Sequence, residues 1–382
     1  MATGTLDTYG NTYARPHSIA EVINRIDWTE APLLKKFGTA NQGRFRFEHW
    51  PATKYYWLHD TMSSRATTLA EALDDNETGV DVTDGTLFKE GDVLRVETEL
   101  MYVSSVSSNT LTVTRGYAGS TAAAHNTALA ITRTTIARVE GADYDTGHTT
   151  ELTEDYNYTQ IISEAVKVTG SEMVVDKYGI ANTMAYHMAK IMGGSDGIGE
   201  KFKAGTLPIL LQNTFYYGRR YAGASGVARS MGGFEQYVTT NVTDLSSAAL
   251  TRKNIEDLFV TCYLAGGKPD TIIMNAWLRR KISSFYEGSI TTQRSEKRGG
   301  STITTIQTDF GDVEVMFDWL CPTDRLYMVD SAKLGWVTLR DWQVVDRPVT
   351  GDYQVKEILG EFGFVLVNQT AHGYIKNAST SL

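Results

Sequence analysis

Alternation of hydrophobic and polar residues predicts short strands over much of the chain. In Arg44–Trp50, Phe45 and Phe47 alternate with charged residues, and Thr53–His59 is a second, aromatic-rich stretch. Four runs rich in Val and Thr follow, separated by turn residues: Val80–Val82, Val93–Val96, Met101–Val106 and Thr110–Thr114. These runs predict a small β barrel or sandwich inserted at about residues 78–134.

Hydrophobic residues at helical spacing predict the helices. Ile180–Ile191 carries Met184 and Met188 on one stripe, and Thr206–Tyr217 follows after a glycine-rich break at Gly193–Gly199. Four more helices are predicted from caps and apolar stripes: one from Ser18 with Ile19, Val22, Ile23 and Ile26; one over Pro32–Gly38 with Leu33, Leu34 and Phe37; one after Thr251 with Ile255, Leu258, Phe259 and Cys262; and one after Asn275 with Trp277, Leu278, Ile282 and Phe285 facing inward.

The second half of the chain mixes strands with these helices. In Asn157–Thr169, the residues Ile162, Val166 and Val168 share one face. Further strands are predicted at Thr271–Met274, Thr302–Thr308, Val313–Phe317, Leu326–Val329 and Phe362–Val367, with a charged, glycine-rich loop at Glu287–Gly300. This mixture indicates an α+β fold.

Composition limits the classes of function. The 382 residues, 42% of them hydrophobic, are enough for two or three compact units. The net charge of -9 and the pI of about 5.4 disfavour tight binding to DNA, which requires a basic surface. Met1–Gly10 has no signal-peptide pattern, and no run approaches the roughly 20 apolar residues of a membrane helix. The sequence therefore predicts a soluble protein, without membrane association, made in a reducing compartment.

The cysteines and histidines form no recognisable site in the sequence. Cys262 is predicted to be a core residue, and Cys321 precedes Pro322 in a predicted turn and has no assigned role. No two of the seven histidines are separated by the spacing of a helical or finger-type metal site. His187 is predicted to be hydrogen-bonded and partly buried, and His125 to be a surface residue.

Other candidate motifs also lack the chemistry they would need. Asp74–Glu77 and Asp143–Asp145 are predicted to be solvated loops, with adventitious ion binding as the alternative. Gly193–Gly199 lacks the G-K-[ST] ending of a phosphate loop, and Gly223–Gly226 lacks the nucleophile-elbow pattern. No catalytic, cofactor-binding or metal-binding residue and no cofactor is therefore predicted. An enzyme whose site is assembled from distant residues is the less favoured alternative.

Several segments form an ordered set of motifs. They are Glu90–Val96, Asn109–Tyr117 with its LTVTRGY sequence, Ala122–His125, Asn157–Ile162 with Val168–Ser171, Asp309–Gly311 with Asp330 and Trp336, and Gly360–Phe364 with Asn368 and Ala371–Gly373. In this order, and over most of the chain from Thr53 to Ile375, the set resembles the major head proteins of tailed bacteriophages that share the Hong Kong 97-type capsid fold.

The resemblance implies a domain organisation. The expected parts are an N-terminal arm at 1–43, an extended loop region at 44–148 that contains the inserted β domain, a peripheral domain at 149–228 and 348–382, and an axial domain at 229–347. The spine helix of the peripheral domain would lie near Ile180–Tyr217, and Gly193–Gly199 predicts a kink or an extra loop in it. The loop Glu287–Gly300, with Arg294, Glu296, Lys297 and Arg298, is interpreted either as a projection toward a capsomer axis or neighbour or as a solvated loop.

The resemblance also implies a function. A major capsid protein of this family assembles with itself into pentamers and hexamers of an icosahedral shell, which encloses double-stranded DNA without binding it specifically. Scaffolding, portal and decoration proteins are the other implied partners, and the expected location is the virion after assembly in the host cytoplasm. The alternative is another virion component, a tail or decoration protein, that carries the same β insertion.

Overall fold

The computed structural model describes residues 31–38, 45–60, 64–142, 147–148, 151–175, 177, 182–193, 205–285, 305–308 and 311–380. The chain divides into two compact units. One combines Met1–Leu58 with Glu154–Leu382, and the other is His59–Thr153. The predicted helix after Ser18, the loop Glu287–Gly300 and Asp143–Asp145 lie outside the described residues.

The secondary structure consists of short helices and many strands. The helices are α1 Pro32–Gly38, α2 Gly170–Val174, α3 Thr183–Met192, α4 Thr206–Tyr217, α5 Phe234–Tyr237, α6 Arg252–Leu264 and α7 Ala276–Phe285. The strands are β1 Phe45–His49, β2 Lys54–His59, β3 Ala66–Thr68, β4 Gly79–Asp81, β5 Asp92–Val96, β6 Glu99–Ser107, β7 Thr110–Thr114, β8 Ala130–Ile136, β9 Thr153–Tyr158, β10 Gln160–Thr169, β11 Val242–Asp244, β12 Thr271–Met274, β13 Thr305–Thr308, β14 Gly311–Phe317, β15 Leu326–Val329, β16 Leu334–Asp346, β17 Tyr353–Leu366 and β18 Gly373–Lys376.

One of the two main sheets of the larger unit has four strands, in the order β1-β16-β17-β10. β17 pairs antiparallel with both β10 and β16, and β1 pairs parallel with β16. Trp336 and Phe364, which lie opposite each other in the β16–β17 register, are fully buried and pack edge to face. Residues of α1, α3 and α4 join them in one hydrophobic cluster, so these helices cover the sheet.

Helices α3 and α4 follow the predicted pattern closely. The Asn182 side chain accepts a hydrogen bond from the Ala185 amide and caps α3, whose buried residues include the predicted Met184, Met188 and Ile191. Gly193 ends the helix at a φ of 82°, a left-handed conformation that glycine adopts without strain. The bounds of α4 are those predicted. The rest of the break, from 194 to 204, lies outside the described part of the chain.

The other main sheet of this unit is mixed and has six strands, in the order β11-β18-β15-β12-β14-β13. Helices α6 and α7 pack on it through Leu258, Phe259, Leu278 and Ile282. Thr251 and Asn254 form a reciprocal capping box at the start of α6. The prediction that Trp277 faces inward is wrong, since it is 50% exposed. One residue rotates about 100° around a helix, which turns Trp277 away from the buried Leu278–Ile282 stripe.

The unit His59–Thr153 contains a six-stranded sheet of its own, in the order β3-β8-β5-β6-β7-β4. The Thr83 amide donates to the Thr68 carbonyl (2.9 Å) and the Ala70 amide to the Asp81 carbonyl (2.8 Å), with Leu69 opposite Val82. These bonds join the two outermost strands and close the sheet into a barrel. Its core is a separate hydrophobic cluster that contains Leu94, Met101, Val103, Leu111, Val113 and Ile131.

Four of the six strands of the barrel were predicted, and their bounds differ little from the predicted ones. The bounds of β7 agree with the prediction, and β4, β5 and β6 differ from it by one or two residues. β3 and β8 were not predicted, and because β3 pairs with β8 the barrel begins before residue 78. The three residues of β3 are too few to show a period-two pattern, so no local signal predicts this strand.

Candidate assembly surfaces

Strand β10 lies at an edge of the four-stranded sheet. Its inner side pairs with β17 from Gln160–Phe362 to Thr169–Tyr353, and no strand in the described part of the chain pairs with its outer side. Ile161 is 49% exposed on this strand. An edge strand with unpaired backbone groups is a site at which a segment of another chain can add to a sheet.

Two adjoining grooves lie beside this edge. The larger, of about 510 Å³, is lined by β10 and α4 residues that include Ile161, Leu210 and Tyr217. The smaller, of about 430 Å³, is lined by Ile161 together with Val227 and Arg229. Leu210, Tyr217 and Val227 are each about half exposed. Grouped exposed apolar residues of this kind mark protein interaction surfaces.

A buried carboxylate fixes the arginine at the edge of the smaller groove. Glu361 on β17 is 2% exposed and accepts hydrogen bonds from the Thr159 hydroxyl (2.6 Å), from Arg340 Nε (3.0 Å) and from Arg229. Burial raises the pKa of this carboxyl, but the hydrogen bonds from Thr159 and the two arginines outweigh it and leave the pKa lowered. One carboxylate thus holds two guanidinium groups.

Aromatic and cationic side chains stack on the ribbon formed by β2 and β9. The Lys54 ammonium lies 4.0 Å from the ring centroid of Tyr156 and 4.7 Å from that of Tyr56. The Arg220 guanidinium lies 4.0 Å from the Tyr156 ring and also pairs with Asp155 at 3.0 Å. Tyr56 is 46% exposed. Tyr and Arg side chains are enriched at protein interfaces, so this ribbon is a second candidate surface.

The buried titratable groups of the larger unit connect structural elements. Asp318 is fully buried and accepts hydrogen bonds from Gln212 Nε2 (2.6 Å), from the Tyr216 hydroxyl and from the Leu320 amide (2.9 Å). Burial raises the pKa values of both Asp318 and Tyr216. Because no substrate can reach a fully buried carboxyl, these bonds serve to fix α4 against the turn after β14.

Two predictions about histidines are wrong. His187 is exposed, because it precedes the buried Met188 by one residue and therefore faces away from the apolar stripe. His125 is 4% exposed and contacts Glu97 and Glu99, which lie 28 and 26 residues earlier in the sequence. Its neighbours in sequence are small alanines, so only the pairing of distant strands could reveal these contacts.

The structure describes most of the remaining chemical candidates. Cys262 is buried in α6, as predicted, and Cys321 is also buried. The Asp74–Glu77 segment is largely exposed. Gly223 and Gly226 have φ values of 83° and 80° in a tight turn that pairs Ala224 with Val227. Among the described residues, no three His, Cys, Asp or Glu side chains are grouped to hold a metal ion.

The described helices include none with the length and apolar character needed to cross a membrane.

The fold is that of viral capsid subunits. The structure is similar to the capsid asymmetric unit of cyanophage A-1(L), with a TM-score of 0.59 and 10% identity over 98% of this chain and 100% of that chain. It is also similar to the capsid of the native GTA particle, with a TM-score of 0.51 and 10% identity over 96% of each chain. These similarities show the fold, and the predicted Hong Kong 97-type α+β capsid fold is confirmed.

The sequence itself places the chain in a family. The family described as SU10 major capsid protein matches residues 2–195 and 202–379, so the chain belongs to that family. It is a shell-forming major capsid protein, a structural component of the virion and not an enzyme. The resemblance to phage major capsid proteins is thereby confirmed, and the tail or decoration alternative is not favoured. A search of curated proteins finds no significant match.

Proposed function

We propose that copies of this chain form the pentamers and hexamers of an icosahedral phage head, with the β10 edge and its two grooves as a contact between copies. The observation that carries this assignment is the coincidence of an open strand edge with half-exposed Ile161, Leu210 and Tyr217. A shell subunit must meet several neighbours, and an edge strand beside an apolar groove supplies both backbone and side-chain contacts.

The domain organisation of the family is part of the proposal. The four-stranded sheet with α3 and α4 would form the peripheral domain, and the six-stranded mixed sheet with α6 and α7 the axial domain. The resemblance implies a single boundary at 347/348 between the axial domain and the C-terminal part of the peripheral domain. The strand pairing favours a different assignment, with β16 in the peripheral sheet and β18 in the axial sheet. The barrel would be the insertion in the extended loop at 44–148, and residues 1–43 the arm.

The same proposal extends to the contents, the partner proteins and the place of assembly of the shell. The net charge of -9 favours a shell that encloses double-stranded DNA without binding it specifically. Scaffolding, portal and decoration proteins would assist or complete the particle, and assembly would take place in the host cytoplasm.

Electron microscopy of the expressed chain, alone and with its phage partners, tests the proposal. Wild type is expected to form rings or shells. Ile161→Lys, which places a charge in the groove, is expected to abolish them while the thermal unfolding of the subunit stays unchanged. Val349→Lys makes the same change at a residue of similar exposure (43%) outside the grooves and should still assemble. Assembly of Ile161→Lys at the wild-type level would exclude the groove as a contact between copies. Failure of wild type to assemble under every condition would contradict shell formation.

A further inference from the structure

The charge of the chain is divided unequally between its two units. The unit His59–Thr153 contains fifteen acidic and six basic residues, so its net charge of -9 equals that of the whole chain. The larger unit is therefore neutral in sum. A basic surface on the larger unit can attract an anion even though the chain as a whole is acidic, because a surface potential depends on the local charges.

Helix α7 has the highest net positive charge of the described helices. Arg279, Arg280 and Lys281 follow one another in it, and Ala276–Phe285 contains no acidic residue. Helix α6, which packs on the same sheet, carries two basic and two acidic residues. The charge of α7 is thus not balanced within the helix.

The outer face of α7 consists of residues spaced by three or four positions: Trp277, Arg280, Lys281 and Ser284. Trp277 is 50% exposed, Arg280 is exposed and Lys281 is partly buried. Neither cation pairs with another side chain in the described part of the chain, whereas Arg279 lies over the Phe317 ring. The face therefore presents two unbalanced positive charges beside an exposed indole.

A polyanion fits this face better than a protein surface does. Protein interfaces are depleted of Lys and centre on apolar pockets, and the grooves described above lie beside β10. Duplex DNA carries one negative charge per about 1.7 Å of helix axis, and cations that meet its phosphates release counter-ions. The face from Trp277 to Ser284 is about 10 Å long, which suffices for about two phosphates.

We propose that the outer face of α7 is a non-specific contact for the phosphate backbone of double-stranded DNA. Arg280 and Lys281 each pair with a phosphate, and Trp277 packs beside the sugars. Such contacts read no base sequence. The inference rests on the proposed function, in which the shell encloses DNA. Each copy supplies one weak contact, and the many copies of a shell hold the DNA together while every single contact stays reversible.

Fluorescence anisotropy of a short labelled duplex, titrated with the unassembled full-length chain at low salt, tests the contact. For wild type the logarithm of the affinity should fall with the logarithm of the salt concentration with a slope of about -2, as for two phosphates. Arg280→Gln/Lys281→Gln should bind at least about tenfold more weakly, with a slope smaller by about 2 and unchanged thermal unfolding. The matched control Lys253→Gln/Lys268→Gln removes two exposed positive charges from the same unit and should bind like wild type.

The fluorescence of Trp277 reports where the duplex lies. Addition of the duplex should change the tryptophan emission of wild type and should change that of Trp277→Phe much less. Trp277→Phe keeps both cations, so it should bind nearly as well as wild type. The proposal would be overturned by any of three results: no binding by wild type, equal affinity of wild type and Arg280→Gln/Lys281→Gln, or an emission change that persists in Trp277→Phe.

Polyglutamate distinguishes DNA from an acidic protein segment. Its charges are at least about 3.3 Å apart along an extended backbone, so its charge density is lower and it should bind more weakly than the duplex. Equally tight binding that is lost in Arg280→Gln/Lys281→Gln would assign the face to an acidic protein and overturn the contact with DNA. Electron microscopy of the same preparations keeps the two proposals apart. Shells formed by a chain that does not bind DNA would contradict only this inference and leave shell formation standing.

Discussion

Arg115 and Glu99 form a two-point ion pair inside the barrel, with Nε 2.7 Å from Oε1 and Nη2 2.8 Å from Oε2. Both side chains are buried, with exposed fractions of 7% and 1%. Burial alone would raise the pKa of Glu99, but the hydrogen bonds from Arg115, His125, Ala123 and Gly116 lower it to about 2. The carboxylate therefore stays ionised and connects β6 with the segments that carry Arg115 and Ala123.

Removing the charge of Glu99 should destabilise the barrel. Glu99→Gln leaves the Arg115 guanidinium buried without its counter-ion, and breaking a buried pair in this way costs roughly 3–5 kcal/mol. Calorimetric unfolding of the full chain would measure the loss as a lower transition temperature. Glu256→Gln removes one partner of an exposed pair on α6 and is expected to change the free energy of unfolding by less than about 0.5 kcal/mol. Equal effects of the two substitutions would contradict the structural role of Glu99.

His372 should make the larger unit sensitive to mild acid. It is fully buried, and its Nδ1 accepts a hydrogen bond from the Asp330 amide at 3.2 Å. Burial, with a smaller effect of Lys333, lowers the pKa from 6.5 to about 3. In the unfolded chain this histidine binds a proton below about pH 6.5, whereas in the folded chain it does so only below about pH 3. Protons therefore favour the unfolded state between these values, and the free energy of unfolding falls as the pH falls from 6.5 to about 3.

From pH 7 to pH 5 this residue should cost wild type about 2 kcal/mol of unfolding free energy. His372→Gln keeps an acceptor for the Asp330 amide but does not titrate, so its stability should change less over the same range. Urea unfolding at the two pH values measures the difference. Glu99 loses its contribution only below about pH 4.5, so it adds little to the change between pH 7 and pH 5. Parallel pH dependence of wild type and His372→Gln would count against the prediction.

Gly363 on β17 should not tolerate a side chain. A Cβ atom at this position would lie 2.1 Å from the Tyr55 Oη and 2.6 Å from its Cζ. Tyr55 is buried and its hydroxyl donates to the Phe364 carbonyl at 3.0 Å, so it cannot move without losing that bond. Gly363→Ala is expected to lower the free energy of unfolding by about 1–3 kcal/mol.

Two further variants separate this clash from a general effect of alanine. Gly79→Ala should be nearly neutral, since its nearest atom would be the Thr110 Cγ2 at 3.9 Å. Tyr55→Phe in the Gly363→Ala background removes the closest contact and should recover part of the loss. Calorimetry of the three proteins is the measurement, and a stable Gly363→Ala would disprove the close packing of β17 against Tyr55.

Both cysteine thiols should be inert in the native chain. Burial raises the pKa of Cys262 to about 11, and burial also raises that of Cys321 well above its usual value. A thiol reagent such as Ellman's reagent at pH 8 is expected to react with neither thiol in the folded protein and with both in guanidinium chloride. Rapid reaction of one thiol in the native state would show that its segment opens readily.

Elements with a strong local signal were predicted well. The bounds of α4, β7, β12 and β15 agree with those predicted, and Thr251 and Asn275 cap helices as expected. Apolar periodicity and capping residues lie within a few residues of each other, so they can be recognised without the tertiary fold. The ordered motifs that resemble capsid proteins also lie in short segments, and the family match confirms them.

Strand β16 was missed because its pattern is irregular. Leu334–Thr338 are all buried, and the register with β17 shifts between Thr338 and Arg340 and again between Arg340 and Gln343. A strand buried on both faces does not alternate, and each shift changes which residues face inward. Of β17 the sequence identified only the C-terminal part, from Phe362.

The sequence by itself determined the family, the α+β class and most of the local elements, because these depend on neighbouring residues. The tertiary structure decided that β10 is an edge strand, that Glu361 holds two arginines, and that His125 lies between Glu97 and Glu99. Each of these results depends on contacts between residues more than 20 positions apart. Such contacts form only when strands pair and a core is buried, so no local pattern records them.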